Sequence, residues 1–237
     1  MLKNTFCHIV SENKEAELWR TNLLNWDEIK EDHPLHSQIL SSKQALLQQN
    51  HQFFLESLPK NQHWRAYKEF PCCFLDIETT GLSRVYNDVT VIGVYDGKES
   101  KLFVQGQNLQ DFPQEMEKYG LIITFNGKCF DVPFLKAKFP GVNFDKLHVD
   151  LRYVLKELGY SGGLKRIEKE LGVNRDEELQ EVDGWEAVRL WHKYKHGDEE
   201  ALRLLLKYNQ ADIENLKFLM DFAYDKMKER HFLNQIQ

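Results

Sequence analysis

The stretch Phe74-Leu75-Asp76-Ile77-Glu78-Thr79-Thr80-Gly81-Leu82 sets two carboxylates one apolar residue apart, at the end of an apolar run and just before a glycine. In a β-strand successive side chains alternate faces, so Asp76 and Glu78 share one side. Two carboxylates on one face of a buried strand repel each other and are costly to desolvate unless a positive charge sits between them. A divalent cation answers that need, and hard oxygen donors favour Mg²⁺ or Mn²⁺ over Zn²⁺.

Two later blocks can add to this pair. Asn126-Gly127-Lys128-Cys129-Phe130-Asp131 follows the apolar run Leu121–Phe125. Ligand sites gather at strand ends in such sheets, which sets Asp131 beside Asp76 and Glu78. Asp131 also reads as the cap of a helix beginning near Val132-Pro133, and the two roles are compatible. Gly127 permits a tight turn there, and Asn126 can tie it to the backbone. In Tyr208-Asn209-Gln210-Ala211-Asp212, Tyr208 and Asp212 stand four apart on a helical face that Leu205, Leu216 and Leu219 extend. An aspartate on an apolar face needs a partner, either a metal or a neighbouring backbone group.

The elements that must position these groups are legible from periodicity. Strands are expected at Cys72–Ile77, Val89–Tyr95, Lys101–Val104, Leu121–Phe125 and Leu147–Asp150. Asp96-Gly97 marks a hairpin after the second. Helices are expected over about 108–119 and 132–138, each with a proline near its first turn, and through most of the chain after Leu151. Three antiparallel strands followed by strand–helix alternation give an α/β fold, a mixed five-stranded sheet with flanking helices. Ahead of it, Trp19, Leu23, Trp26 and Ile29 recur at helical spacing, and a second helix spans about 36–58 before Pro59. These predict a helical N-terminal extension over 1–68 that packs on the main domain, a partner-binding arm being its alternative role. The main domain follows at 69–225 and a C-terminal tail at 226–237.

The 237 residues are 42% hydrophobic and 29% charged, with a net charge of −6. That balance argues against non-specific, charge-driven binding of duplex nucleic acid. It is compatible with an acidic metal site, whose ligands count as negative until ions bind. The sequence shows no leader peptide and no membrane span, which sets the expectation of a cytoplasmic protein. Its four cysteines lack C-x-x-C spacing and read as reduced thiols. Scattered histidines argue against a zinc hydrolase, and no G-x-x-x-x-G-K-[ST] occurs.

Asp76-x-Glu78, the Asn126–Asp131 block and Tyr208-x-x-x-Asp212 together resemble, in order and spacing, the three motifs of the DEDD exonuclease superfamily of the RNase H-like fold. Tyrosine four residues before the last aspartate is similar to the tyrosine-type branch; Lys207 stands where the histidine-type branch has histidine. The YprB-like branch of predicted RNase H-fold exonucleases is closer still. Thr124-Phe125-Asn126-Gly127, Asp131-Val132-Pro133-Phe134-Leu135, His148-Val149-Asp150-Leu151 and Gly163-Leu164-Lys165-x-Ile167-Glu168 with Leu171-Gly172 resemble its further blocks. The likeness runs from about residue 70 to 222.

This resemblance implies a metal-dependent 3′→5′ exonuclease acting on single-stranded DNA or RNA, with two divalent cations, Mg²⁺ or Mn²⁺, as cofactors. By the same resemblance Asp76 bridges the ions, Glu78 and Asp212 hold one of them, Asp131 supports the other, and Tyr208 orients the nucleophile. Thr79, Thr80 and Asn126 beside the acidic pair, and Lys165 on a basic helix face, are candidates for holding the substrate; a strand-end turn and a solvated face are the plain readings of the same residues. Asp150 reads as a helix N-cap or a fifth carboxylate. Trp185, Trp191 and Tyr194 read as core rather than as a base-stacking platform. A non-enzymatic module on the same fold, gripping nucleic acid or protein, is the alternative. All four carboxylates and the tyrosine are present, which counts against it.

Overall fold

The structure, a computed structural model, describes residues 1–236. Its strands are β1 (Cys72–Thr79), β2 (Val89–Tyr95), β3 (Ser100–Val104), β4 (Leu121–Thr124) and β5 (Leu147–Asp150). They form one sheet in the order β3-β2-β1-β4-β5. β1 pairs antiparallel with β2 and parallel with β4, so the direction of pairing changes across β1. A crevice at that change is where an open sheet offers a ligand site.

The helices are α1 (Glu12–Arg20), α2 (His36–Leu47), α3 (His51–Ser57), α4 (Phe112–Met116), α5 (Asp131–Lys138), α6 (Leu151–Glu157), α7 (Leu164–Glu170), α8 (Glu177–Gln180), α9 (Gly184–Lys195) and α10 (Glu199–His231). Strand alternation divides β1 between two layers. Cys73, Leu75 and Ile77 join Phe112, Met116, Phe134 and Leu135 of α4 and α5. Phe74 instead joins Leu216, Leu219 and Met220 of α10. Asp76 and Glu78 continue the Phe74 face, so α10 is the helix that can bring a side chain to them.

The N-terminal segment departs from its expected helices. α1 stops at Arg20, because Asn22 turns the chain at φ 70°. Trp26 lies in a separate 3-10 turn capped by Asn25 and Glu28. The tryptophans share a direction because both pack on the first residues: the indole N–H of Trp19 donates to the Asn4 carbonyl at 2.9 Å and that of Trp26 to the Thr5 carbonyl at 2.7 Å. The run over 36–58 is two helices, separated where Gln49 adopts φ 55° and Asn50 caps α3 through the Phe53 N–H.

The N-terminal segment packs on the sheet. Trp64, Ala66, Tyr67 and Phe70 share one apolar cluster with Phe74, Leu216 and Tyr224. His63 accepts the His148 N–H at 3.1 Å, which occupies part of the outer edge of β5. At the other end α10 runs through residue 225 to His231, with Met227 buried. No described helix is long and apolar enough to cross a membrane.

Candidate metal centre

Four carboxylates converge at the end of β1. One oxygen each from Asp76, Glu78 and Asp212 lies within 4.8 Å of the other two. Asp131 faces the same cleft from the first residue of α5, buried at 4% exposure. β4 pairs with β1 only over Cys72–Phe74, so the Ile77 N–H has no strand partner on that side. It donates to Asp131 Oδ1 at 3.1 Å. The carboxylate thus completes the sheet where two strands splay, instead of capping its own helix. The β1–β2 register slips between Glu78 and Thr79, an irregularity of the kind that re-aims side chains beside sites.

Burial raises the proton affinity of all four, because each charged form loses hydration and faces its neighbours. Asp76 and Glu78 are held well above the carboxylate range by desolvation and then by the repulsion of Asp212 and Asp131. Desolvation pushes Asp131 up to about 7, against backbone hydrogen bonds that favour its ionised form. Asp212 is pushed up to about 6 by desolvation, and Arg175 moderates the rise. The phenol of Tyr208 is raised by burial and by Asp212, Glu78 and Asp76, so it keeps its proton at neutral pH and is a hydrogen-bond donor.

Several residues that fix this geometry were not assigned roles from sequence. The side-chain amide of Asn209 donates to Asp76 Oδ2 at 2.8 Å, from a fully buried position on α10. Space for it comes from Gly93, the β2 residue opposite Asp76. A Cβ on Gly93 would overlap Asn209 Oδ1 and stand 3.1 Å from both Asn209 Cγ and Ile213 Cγ2. A glycine inside an apolar strand is the sequence sign of such a close approach. Arg175 pairs with Asp212 Oδ1 and also with Glu168, at 2.7 Å through Nε and 2.7 Å through Nη2. Nothing in the spacing of Arg175, in the loop after α7, signals that role.

A cleft of about 450 Å³ opens over the carboxylates, lined also by Tyr208, Thr79, Asn126, Leu82 and Trp185. Trp191 is buried as expected, but Trp185 is 60% exposed on the cleft wall, so the core assignment fails for it. Asp183 caps α9 through the N–H groups of Trp185 and Glu186 and thereby sets the indole at the helix start.

The candidates for holding substrate separate. Asn126 lines the cleft, takes the left-handed conformation at φ 65°, and accepts from Arg152 at 2.6 Å. Asn126 itself, rather than Gly127, is therefore the left-handed residue of this turn. Thr79 lines the cleft too, with its hydroxyl donating to the Gly81 carbonyl at 2.7 Å. The Thr80 hydroxyl accepts the Asp88 N–H and pins the β1–β2 loop. The Lys165 ammonium turns away to the carbonyls of Leu179, Gln180 and Val182, so it organises α8 instead of meeting solvent. Asp150 accepts the N–H groups of Asn126, Lys128 and Arg152, which commits it to the loop and the α6 cap.

The donor set fits a hard divalent ion. It is all oxygen, and Arg175, which reaches Asp212, is already paired with Glu168.

Comparison with known proteins agrees with the architecture. An uncharacterized protein of Methanocaldococcus jannaschii is 34% identical over 143 residues, spanning 53% of this chain and 80% of the relative. The family B DNA polymerase of Pyrobaculum calidifontis superposes with a TM-score of 0.57 at 16% identity, over 70% of this chain. This chain spans only 26% of that polymerase. Brucella melitensis NrnC bound to pGG superposes with a TM-score of 0.50 at 16% identity, over 70% of this chain and 78% of NrnC. These two likenesses speak to fold. The sequence profile of the RNase H superfamily matches residues 73–224, which takes in the whole sheet but for the first residue of β1 and every carboxylate of the cleft, and the chain belongs to that superfamily.

Proposed function

We propose that this protein is a divalent-metal-dependent nuclease that removes nucleotides from the 3′ end of single-stranded DNA or RNA. In this reading it is a tyrosine-type DEDD enzyme of the YprB-like branch. The observation that carries the reading is the convergence of Asp76, Glu78, Asp131 and Asp212 with Tyr208 in one cleft, from three separate stretches of chain. The 3′→5′ direction and the use of two ions rest on the motif resemblance. Among the similar folds, a structure of NrnC holds pGG, which is in keeping with a nucleic-acid substrate.

Asp76, Glu78, Asp212 and Asp131 would hold the ions, Mg²⁺ or Mn²⁺. Bound divalent cations supply charge stabilisation at phosphate oxygens and make a hydrolytic water available at neutral pH. Around them the chain's own groups have definite work. Asn209 fixes Asp76 from the α10 side. Protonated Tyr208 can donate a hydrogen bond toward a phosphate oxygen or toward the water. Leu82 and Trp185 are 72% and 60% exposed and present apolar surface to a base that has left its stack. A cleft of about 450 Å³ suits a strand end and not a duplex.

The test uses single strands labelled at the 5′ or the 3′ end, with Mn²⁺ or Mg²⁺ titrated in, beside Asp76→Asn and Asp212→Asn. Removal of an essential ligand should lower turnover by three orders of magnitude or more, on the order of 4 kcal/mol of barrier, in variants that still fold. Digestion by these variants at the wild-type rate would refute the assignment. A folded wild-type protein that binds single strands but never cleaves them would favour the non-enzymatic alternative.

A further inference from the structure

We propose that Arg175, braced by Glu168, is a positioning residue for Asp212: it occupies one carboxylate oxygen, leaves the other for a divalent ion, and adds no net charge to the centre. The inference rests on the metal-dependent reading of the cleft.

Three buried side chains form the device. The guanidinium of Arg175 meets both oxygens of Glu168 at 2.7 Å and meets Asp212 Oδ1 with the same Nη2. Glu168 is braced from a second direction by Asn215, whose amide donates to it at 3.0 Å. Asn215 lies three residues after Asp212 on α10, so one helix supplies both the carboxylate to be oriented and a clamp on its orienter. The side chains of Arg175, Glu168 and Asp212 are only 6%, 1% and 7% exposed. The guanidinium also lies 5.5 Å from the centre of the Tyr208 ring, whose other cationic neighbour is Lys165 at 5.3 Å.

A loose arginine beside a metal ligand would be a counter-ion that leaves when metal arrives. Arg175 is not loose. Its departure would strand Glu168 as a buried unpaired charge, a strongly destabilising change. It therefore stays when metal binds, and Asp212 keeps one oxygen committed to it. An arginine without an acid partner would lower the affinity of the site for a dication by repulsion. Glu168 cancels that charge, so Arg175 can orient Asp212 without competing for its role. Outer groups of this kind orient a ligand and commonly change metal affinity or activity 10–100-fold when removed.

The charge argument gives the two partners opposite signatures, which a merely structural ion pair would not. Mn²⁺ alone is titrated into the metal-free full chain by calorimetry, with the melting temperature of each apo variant recorded. Glu168→Gln leaves an uncompensated cation and should weaken Mn²⁺ binding about tenfold or more. Arg175→Gln leaves an extra anion; Mn²⁺ binding should hold or tighten, while kcat on a single-stranded oligonucleotide falls about tenfold at little-changed KM. The double variant should return Mn²⁺ affinity to within about threefold of wild type, a coupling read by the double-mutant cycle. Equal weakening by both single variants, or no change in either, would overturn the proposal. If Arg175→Gln fails to fold, wild-type Mn²⁺ affinity in Glu168→Gln would overturn the proposal; if Glu168→Gln fails to fold, a tenfold loss of Mn²⁺ affinity in Arg175→Gln would overturn it. Equal Mn²⁺ binding by wild type and Asp76→Asn would instead remove the metal reading itself, and this proposal with it.

Discussion

Gly93→Ala is a one-methyl change that reaches the metal centre through Asn209. The added Cβ would overlap Asn209 Oδ1 and press Asn209 Cγ and Ile213 Cγ2, each at 3.1 Å. Ile213 is fully buried in α10 and β2 is buried along most of its length, so neither backbone yields cheaply. The movable group is the Asn209 amide, and moving it breaks the 2.8 Å bond to Asp76. Overpacking costs about 1–3 kcal/mol, and leaving the buried Asp76 oxygen without its partner costs about 1–3 kcal/mol. The two overlap, because releasing the amide relieves part of the clash, so a loss of about 2–4 kcal/mol is expected, or a melting temperature lower by about 5–15 °C. Turnover should fall about tenfold or more, because Asp76 is no longer held. Gly93→Ala in an Asn209→Ala background should cost clearly less stability than in wild type, since the methyl then fills the space the amide vacates, while turnover stays low. Urea denaturation with an oligonucleotide digestion assay measures both. Gly93→Ala with wild-type stability and turnover, or equal stability costs in the two backgrounds, would refute the reasoning.

The pH dependence has a definite sign. Asp131 and Asp212 hold protons in the native protein up to about 7 and about 6, whereas an unfolded aspartate releases them near its ordinary value of 3.8. Between the ordinary aspartate range and those raised values the native state binds more protons, so the metal-free protein should lose stability as pH rises from about 4 through about 7. Denaturation in EDTA at pH 5 and pH 8 should show a loss of a few kcal/mol, smaller in Asp131→Asn; a flat or rising profile in the wild type would contradict the raised carboxylates. Mn²⁺ binding should release protons in the same range, read as calorimetric heats that vary with buffer ionisation enthalpy. Trp185→Ala should leave stability within about 0.5 kcal/mol, since the indole is largely exposed, yet raise KM for single strands about tenfold. An unchanged KM would remove Trp185 from the substrate path.

The parts of the molecule legible from sequence are those where periodicity and burial agree. Each strand was locatable to within two residues at either end, because most of the apolar runs are bounded by Gly, Pro, Asn or Asp. That Asp76, Glu78, Asp131 and Asp212 belong to one group was legible only from the three motifs taken together, because each carboxylate alone reads as readily as a strand end, a helix cap or a buried hydrogen-bonded acid. Trp19 and Trp26 misled because two indoles can share a buried direction without sharing a helix; both follow the chain segment that begins at Met1. The break between α2 and α3 rests on a left-handed Gln49, a conformation with no strong residue preference to announce it. Trp185 carries an aromatic pattern that fits core, and only the placement of α9 by Asp183 exposes it. Arg175 was invisible because its partners Glu168 and Asp212 are distant in sequence and meet it only in the folded chain. Gly93 was readable in principle, and its reason appeared only with Asn209 in place.

The central claim is that side-chain oxygens of Asp76, Glu78 and Asp212, with Asp131 at hand, cage divalent ions. Anomalous scattering from a crystal equilibrated with Mn²⁺ tests it most directly. The account expects a peak within about 2.3 Å of oxygens from Asp76, Glu78 and Asp212, with Arg175 still on the remaining Asp212 oxygen. A map at saturating Mn²⁺ with no peak there, and the carboxylates unmoved, would contradict it.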